Sequence, residues 1–149
     1  MRPSTSSQSV RKIAGMTLRR QRVLELIASR RAPSKAYDLL YRLQSEFPRI
    51  TAATVYRAIA WLERHGLVRR IETMHAYIAC SRGRQSGQVA FICDRCRHVY
   101  ECDDLSLARA LEICAERSGF ELHNDILEVH GICTRCRRRS RGAKATLTL

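Results

Sequence analysis

The stretch TAATVYRAIAWLERHGLV, residues 51–68, commits this sequence to a fold. Val55, Ile59 and Leu62 recur at i, i+4 and i+7, one stripe of an α-helix. Thr51 stands where a hydroxyl can accept the first unpaired backbone N–H groups, and Gly66 stands where helices commonly end in the left-handed conformation. With the stripe turned inward, Thr54, Tyr56 and Arg57 fall near the outer face of the first turns. Trp61, the one tryptophan, has Ile59, Leu62 and Leu67 for neighbours and is assigned to the core.

Upstream, two further helices are expected. TLRRQRVLELIASRR opens on Thr17 as a cap and places Leu18, Val23, Leu26 and Ile27 within one stripe, with Arg19, Arg20 and Arg22 toward water. After Pro33, Ser34 can cap KAYDLLYRLQSEF, whose apolar face reads as Tyr37, Leu40, Tyr41 and Leu43; Pro48 closes it. Downstream, GLVRRI and HAYIA are separated by ETM, a turn-sized gap, and read as a hairpin. Three helices and a hairpin make a winged helix-turn-helix, in which the third helix enters the major groove and the hairpin lies along the backbone. Arg57 then faces a guanine edge or a phosphate, and Tyr56 a thymine methyl or a phosphate oxygen. The alternative is that Tyr56 packs on its own domain and Arg57 is solvated. Arg69 and Arg70 on the hairpin suit phosphates, but only in alternation because strand neighbours face opposite sides, and Arg19 is a further DNA-binding candidate.

Charge supports a polyanionic partner. Lys and Arg outnumber Asp and Glu by 27 to 14 in 149 residues, a formal +13. Residues 1–80 hold 15 basic and 5 acidic side chains, whereas residues 81–149 hold 12 and 9. Six of the seven cysteines lie at or beyond Cys93. Two domains with separate tasks follow from that asymmetry.

In the second half, FICDRC (91–96) and GICTRC (131–136) repeat one pattern, with Cys93 and Cys96 and then Cys133 and Cys136 as Cys-x-x-Cys pairs. Structural zinc favours four thiolates contributed as two such knuckles. The knuckles are 36 residues apart, so the metal would staple distant segments. Reversible disulfide chemistry is the competing reading of each pair. QVAFI and RHVYE read as strands, DLSLARALEICAERSGF as a helix with Leu105, Ala108, Leu111 and Ala115 on one face, and ELHNDILEVHGI as a returning strand. Cys114 is expected to be buried in that helix. Cys80 ends the hairpin at the junction of the halves, and Cys102 follows Glu101 after the first knuckle. His130 is either an outer donor to a thiolate or a plain strand residue.

TAATVYRAIAWLERHGLV, FICDRC, YEC, GFELH and LEVHGICTRC, in this order, resemble the Fur superfamily of metal-dependent repressors, and among its branches the zinc-uptake regulators. The likeness spans roughly residues 16–138. It implies a regulatory zinc at the hinge, and position by position it carries over Cys80 and Glu101. It also implies a hinge histidine where this chain has Arg69, and a linker histidine that SRGRQSGQ lacks. His75, Cys102, His98 and His123 are the side chains that could complete the site; His75 and Cys102 are the chosen candidates.

The resulting expectation is an α+β chain. A flexible segment (1–15) precedes a winged-helix DNA-binding domain (16–79). A hinge (80–88) leads to a small α/β dimerisation domain (89–138) with a four-cysteine zinc site, followed by a basic to polar tail (139–149) that touches DNA or stays solvated. A homodimer would place two third helices in successive major grooves of a pseudo-palindromic site. The expected function is zinc-responsive repression of metal-homeostasis genes with one structural and one regulatory Zn(II) per monomer. Sensing of another metal or of peroxide, and metal-insensitive DNA binding with structural zinc alone, are the rivals. No Ser/His/Asp order, phosphate-cradling glycine loop or His-x-Glu motif suggests an enzyme or a small-molecule substrate. No apolar run nears the roughly 18 residues that span a bilayer, so no membrane partner is expected. The segment MRPSTSSQSVRK lacks a secretory core, although it shares the Ser-rich, acid-free composition of transit segments. A cytoplasmic protein is expected.

Overall fold

Thr51 does cap a helix: its hydroxyl accepts a hydrogen bond from the backbone N–H of Thr54 at the start of Ala52–Arg64. The computed structural model describes residues 13–30, 32–80, 88–122 and 126–145. The chain divides into two compact units, Met1–Arg84 and Gln85–Leu149.

The first unit holds α1 (Leu18–Ala28), α2 (Ala36–Leu43) and α3 (Ala52–Arg64), then an antiparallel hairpin of β1 (Val68–Ile71) and β2 (Ala76–Ala79). The helix α3 ends as Gly66 implied. At φ +66°, Gly66 donates to the Glu63 carbonyl while Leu67 donates to the Leu62 carbonyl, the paired closure of a left-handed C-cap. Val55, Ile59 and Leu62 are buried and pack with Val23, Ile27, Leu39 and Leu43 of the other two helices. Trp61 joins that core. Arg69 is buried and Arg70 exposed, as strand alternation requires.

Three readings of this unit are corrected. Leu18, in the first turn of α1, is 70% exposed and outside the stripe. On α2 the inward face is Ala36, Leu39 and Leu43, while Tyr37 and Tyr41 stand 68% and 81% exposed. The apolar stripe is rotated by one residue from the one the tyrosines suggested. Ser34 does not cap α2, because the helix begins at Ala36 and Lys35 takes the cap position; Ser34 and Tyr77 instead exchange both N–H···O bonds, strapping the hairpin to the loop before α2.

The second unit holds β3 (Gln88–Cys93), β4 (Val99–Asp103), α4 (Leu105–Arg117), β5 (Ile126–Gly131) and α5 (Thr134–Ala145). Its sheet runs β4-β3-β5, with β3 antiparallel to β4 and parallel to β5. The central strand buries Val89, Ala90, Ile92 and Cys93. Asp104 caps α4 through the N–H groups of Ser106 and Leu107. No residue of α4 is fully buried, and Cys114, expected inside, is exposed. Of the expected stripe, Ala108, Leu111 and Ala115 are half-buried and Leu105 is exposed. Residues 139–145, expected as tail, continue α5; residues 1–12 and most of the hinge lie outside the described residues.

Candidate metal centre and nucleic-acid interface

Parallel pairing of β3 with β5 sets Cys93 opposite Gly131, so the two knuckles begin side by side. The first knuckle turns tightly after β3. Arg97 donates its backbone N–H to the Cys93 carbonyl at 2.8 Å, Cys93 donates to the His98 carbonyl at 2.9 Å, and Arg97 adopts φ +57°. The second knuckle is a helix start: Cys133 precedes α5 and Cys136 lies in its first turn. Asp94 ties the knuckles together, donating its N–H to the Gly131 carbonyl and accepting from His130 Nδ1 at 2.9 Å. That contact gives His130 a role on Asp94, where sequence left it between thiolate donor and strand residue.

The four sulfur atoms lie within 4.8 Å of one another. Cys96 Sγ and Cys133 Sγ are 3.8 Å apart, and a tetrahedral zinc with bonds of about 2.3 Å sets its sulfurs about 3.8 Å from each other. The donor set and spacing fit Zn(II). Backbone N–H groups favour the anionic form of the first pair. The Cys133 N–H, 3.4 Å from Cys93 Sγ, leads in pulling the Cys93 thiol down to about 6, and the His98 N–H lowers Cys96. Burial and the neighbouring thiols push Cys136 up to about 12. Four thiolates this close repel one another without a cation; a dication reverses that penalty. All seven cysteines are described and none is in a disulfide.

The residues proposed for a hinge metal are not all compatible. Cys80 continues β2, its N–H on the Leu67 carbonyl at 3.0 Å. His75 lies at the opposite end of the hairpin, in the turn, at φ +47°. At a rise of about 3.3 Å per residue, the strand between them holds them about 15 Å apart. The His75 imidazole meets Arg70 instead, Nδ1 to Nη2 at 3.2 Å. Arg69 pairs with Ile78, so its side chain leaves the hairpin on the same face as Cys80. Glu101 and Cys102 are successive residues of β4, paired with Ala90 and Val89, and so face opposite sides of the sheet. His123 lies outside the described residues.

On α3, Tyr56 is 46% exposed and Arg57 is exposed beside it. Thr54 is half-buried and its hydroxyl contacts that of Thr51 at 3.1 Å, so it serves the cap as well as the outer face. Sequence reasoning missed Arg20 and Arg64. Both line, with Arg57, Ala60 and Glu63, an open cavity of about 620 Å³ between α1 and α3. Arg20 is positioned over the Trp61 ring, 4.5 Å from its centroid, and donates to the Gly15 carbonyl. A cation set over a ring across two helices leaves no signal in the sequence. Arg19 lies over the Phe47 ring at 5.9 Å, and Arg70 is exposed although ion-paired to Glu72 at 3.2 Å. Arg22 instead pins α1 to the segment after α2: its Nε and Nη2 donate to Glu46, whose carboxyl it holds below the usual carboxylate range.

The sequence pattern of the Ferric uptake regulator family matches residues 13–130. The Zinc uptake regulation protein of Escherichia coli (strain K12) is 33% identical over 123 residues, covering 81% of this chain and 72% of that protein. The solved structure of a zinc uptake regulator complexed with zinc and DNA superposes with a TM-score of 0.80 at 28% identity, over 92% of this chain and 99% of that one. Holo XcZur gives a TM-score of 0.76 at 34% identity, over 89% and 96%.

Proposed function

The chain belongs to the ferric uptake regulator family, and on that premise we propose that Cys93, Cys96, Cys133 and Cys136 hold a structural zinc while a second zinc at the hinge controls how the reading heads meet DNA. The protein is a zinc-responsive DNA-binding repressor, and we assign it to zinc-uptake genes and to the cytoplasm. It is not an enzyme. The observation that carries zinc over harder metals at the structural site is the donor set, four thiolates at tetrahedral spacing. No helix among the described residues is long and apolar enough to cross a membrane.

The protein works as a homodimer. Phe91, Tyr100, Phe120, Leu122 and Leu127 are exposed on the second unit, and α4 has no buried face; a second copy supplies the missing cover. Two copies of α3 then read a pseudo-palindromic site, Tyr56 and Arg57 toward base edges and Arg19, Arg20 and Arg70 toward phosphates. Replacing Arg57 with alanine is expected to cost about 1 to 3 kcal/mol of operator binding, roughly 5- to 150-fold, with zinc content unchanged. An operator titration at fixed salt measures this; wild-type affinity would remove Arg57 from the interface.

At the hinge, Cys80 with Glu101 or Cys102 is the proposed set, and His75 is dropped because the hairpin separates it from Cys80. Zinc bound there and DNA reinforce each other by one common factor, typically about 1 to 3 kcal/mol. Cys80→Ser should therefore abolish the zinc dependence of operator binding and leave the fold and the structural zinc intact. A variant that still answers to zinc would remove Cys80 from the site. Arg69, on the Cys80 face where the resemblance implies a histidine, favours a second reading, a DNA binder with structural zinc alone, because a guanidinium stays protonated and cannot ligate the metal. Native mass spectrometry during a chelator titration, with operator binding followed at one salt concentration, decides between them. Two zincs per monomer, the weaker lost together with DNA binding, establish the sensor. One tightly held zinc with indifferent binding establishes the second reading.

A further inference from the structure

Beyond residue 80 the charge is sorted. Residues 134–145 hold six cations and no acid, whereas residues 81–130 hold six basic and nine acidic side chains. That cationic segment is the helix α5. Its first turn is fixed by the metal centre: Cys136 is buried in the sulfur cluster, Arg137 donates its N–H to the Cys133 carbonyl, and Arg95 Nη1 donates to the Cys136 carbonyl at 3.4 Å. Arg135, Arg137, Arg138 and Arg139 are all exposed. A zinc on four thiolates carries a net charge of about −2, fewer charges than the six cations that the sequence places in residues 134–145.

Like charges three and four residues apart, as Arg135 is from Arg138 and Arg139, oppose a helix in isolation. A surface that keeps Arg135, Arg137, Arg138 and Arg139 exposed together matches a dense row of phosphates, which arginine forks bind bidentately. An apolar stripe for a membrane is absent from the exposed residues named. We propose that α5 is a second DNA-binding surface, separate from α3, that grips duplex backbone flanking the operator without reading its sequence. This rests on the DNA-binding assignment above.

The test uses full-length, zinc-loaded protein and a duplex that the wild-type protein selects from a random pool, prepared both trimmed to the protected core and extended by about one helical turn on each side. Each phosphate contact adds about 0.9 to the dependence of log affinity on log salt. Arg137→Gln, Arg138→Gln and Arg139→Gln together should lower that slope by about 2 to 3 per protomer on the extended duplex. Affinity at low salt should drop by about tenfold or more, with zinc content and binding to the trimmed duplex preserved. The triple lysine variant, which keeps the charge, should keep the slope. An unchanged slope in the glutamine variant overturns the proposal and points α5 toward an acidic protein; so does an equal loss on both duplexes with zinc retained. Wild-type protein that selects no duplex at all would instead overturn the DNA-binding assignment itself.

Discussion

Cys93→Ser is expected to release the structural zinc and unfold residues 89–138. Among the described residues of the second unit, only Val89, Ala90, Ile92, Cys93 and Cys136 are buried, and two of these five are metal ligands. So small a core cannot offset the conformational entropy of ordering the segment. Structural zinc in small peptides contributes on the order of 10 to 16 kcal/mol at neutral pH, as much as the whole stability of a typical domain. A serine hydroxyl stays protonated in this pH range and donates poorly to zinc, and the substitution also removes the sulfur that accepts the Cys133 N–H. Native mass spectrometry should find one zinc fewer per monomer, and a far-UV melt should lose the transition of this unit. Cys114→Ser is the matched control, because Cys114 is exposed on α4 and should retain both. Full zinc occupancy and an unshifted melt in the Cys93 variant would overturn the structural role of the cluster.

What the sequence made legible was whatever rests on local rules. Residues 51–68 carry their own cap, stripe and stop signal, so α3 and the core under it could be read directly. The two knuckles were legible because metal-ligand spacing is a short-range pattern. The α2 face was misread because tyrosine counts as apolar in a periodicity, yet its hydroxyl is content in water, while Ala36, which does face inward, is too small to weigh. Ser34 looked like a cap because its long-range pairing with Tyr77 leaves no trace in the neighbouring residues. Periodicity showed that α4 has an apolar stripe but not what covers it; Ala108, Leu111 and Ala115 are only half-buried, and Cys114 is exposed. The tail expected from residue 139 is helical as far as Ala145, continuing a first turn anchored at Cys133 and Cys136. The hinge was least legible. Its proposed ligands are far apart in sequence, and only hairpin length, visible in three dimensions, separates His75 from Cys80.

Leu62→Ala is expected to abolish operator binding at elevated temperature while leaving the zinc in place. Leu62 is fully buried beneath the reading face of α3, packs in one core with Val23 and Leu39, and its carbonyl accepts the Leu67 N–H that closes the helix. Truncating a buried leucine costs about 2 to 5 kcal/mol, the lost transfer energy plus the cavity left behind, against a total of about 5 to 15 kcal/mol for a domain. Tyr56 and Arg57 depend on that packing for their position, so affinity falls with the folded fraction and not through any lost contact to DNA. The sulfur cluster draws all four ligands from the other unit and should keep its metal. In a calorimetric scan the lower-temperature transition should move down by roughly 8 to 40 °C, at about 4 to 8 °C for each kcal/mol in a unit of this size, and the transition that coincides with zinc release should stay where it was. Two transitions that shift together, with zinc lost at the lower temperature, would mean that the halves fold as one cooperative body and that the division near residue 84 has no energetic counterpart.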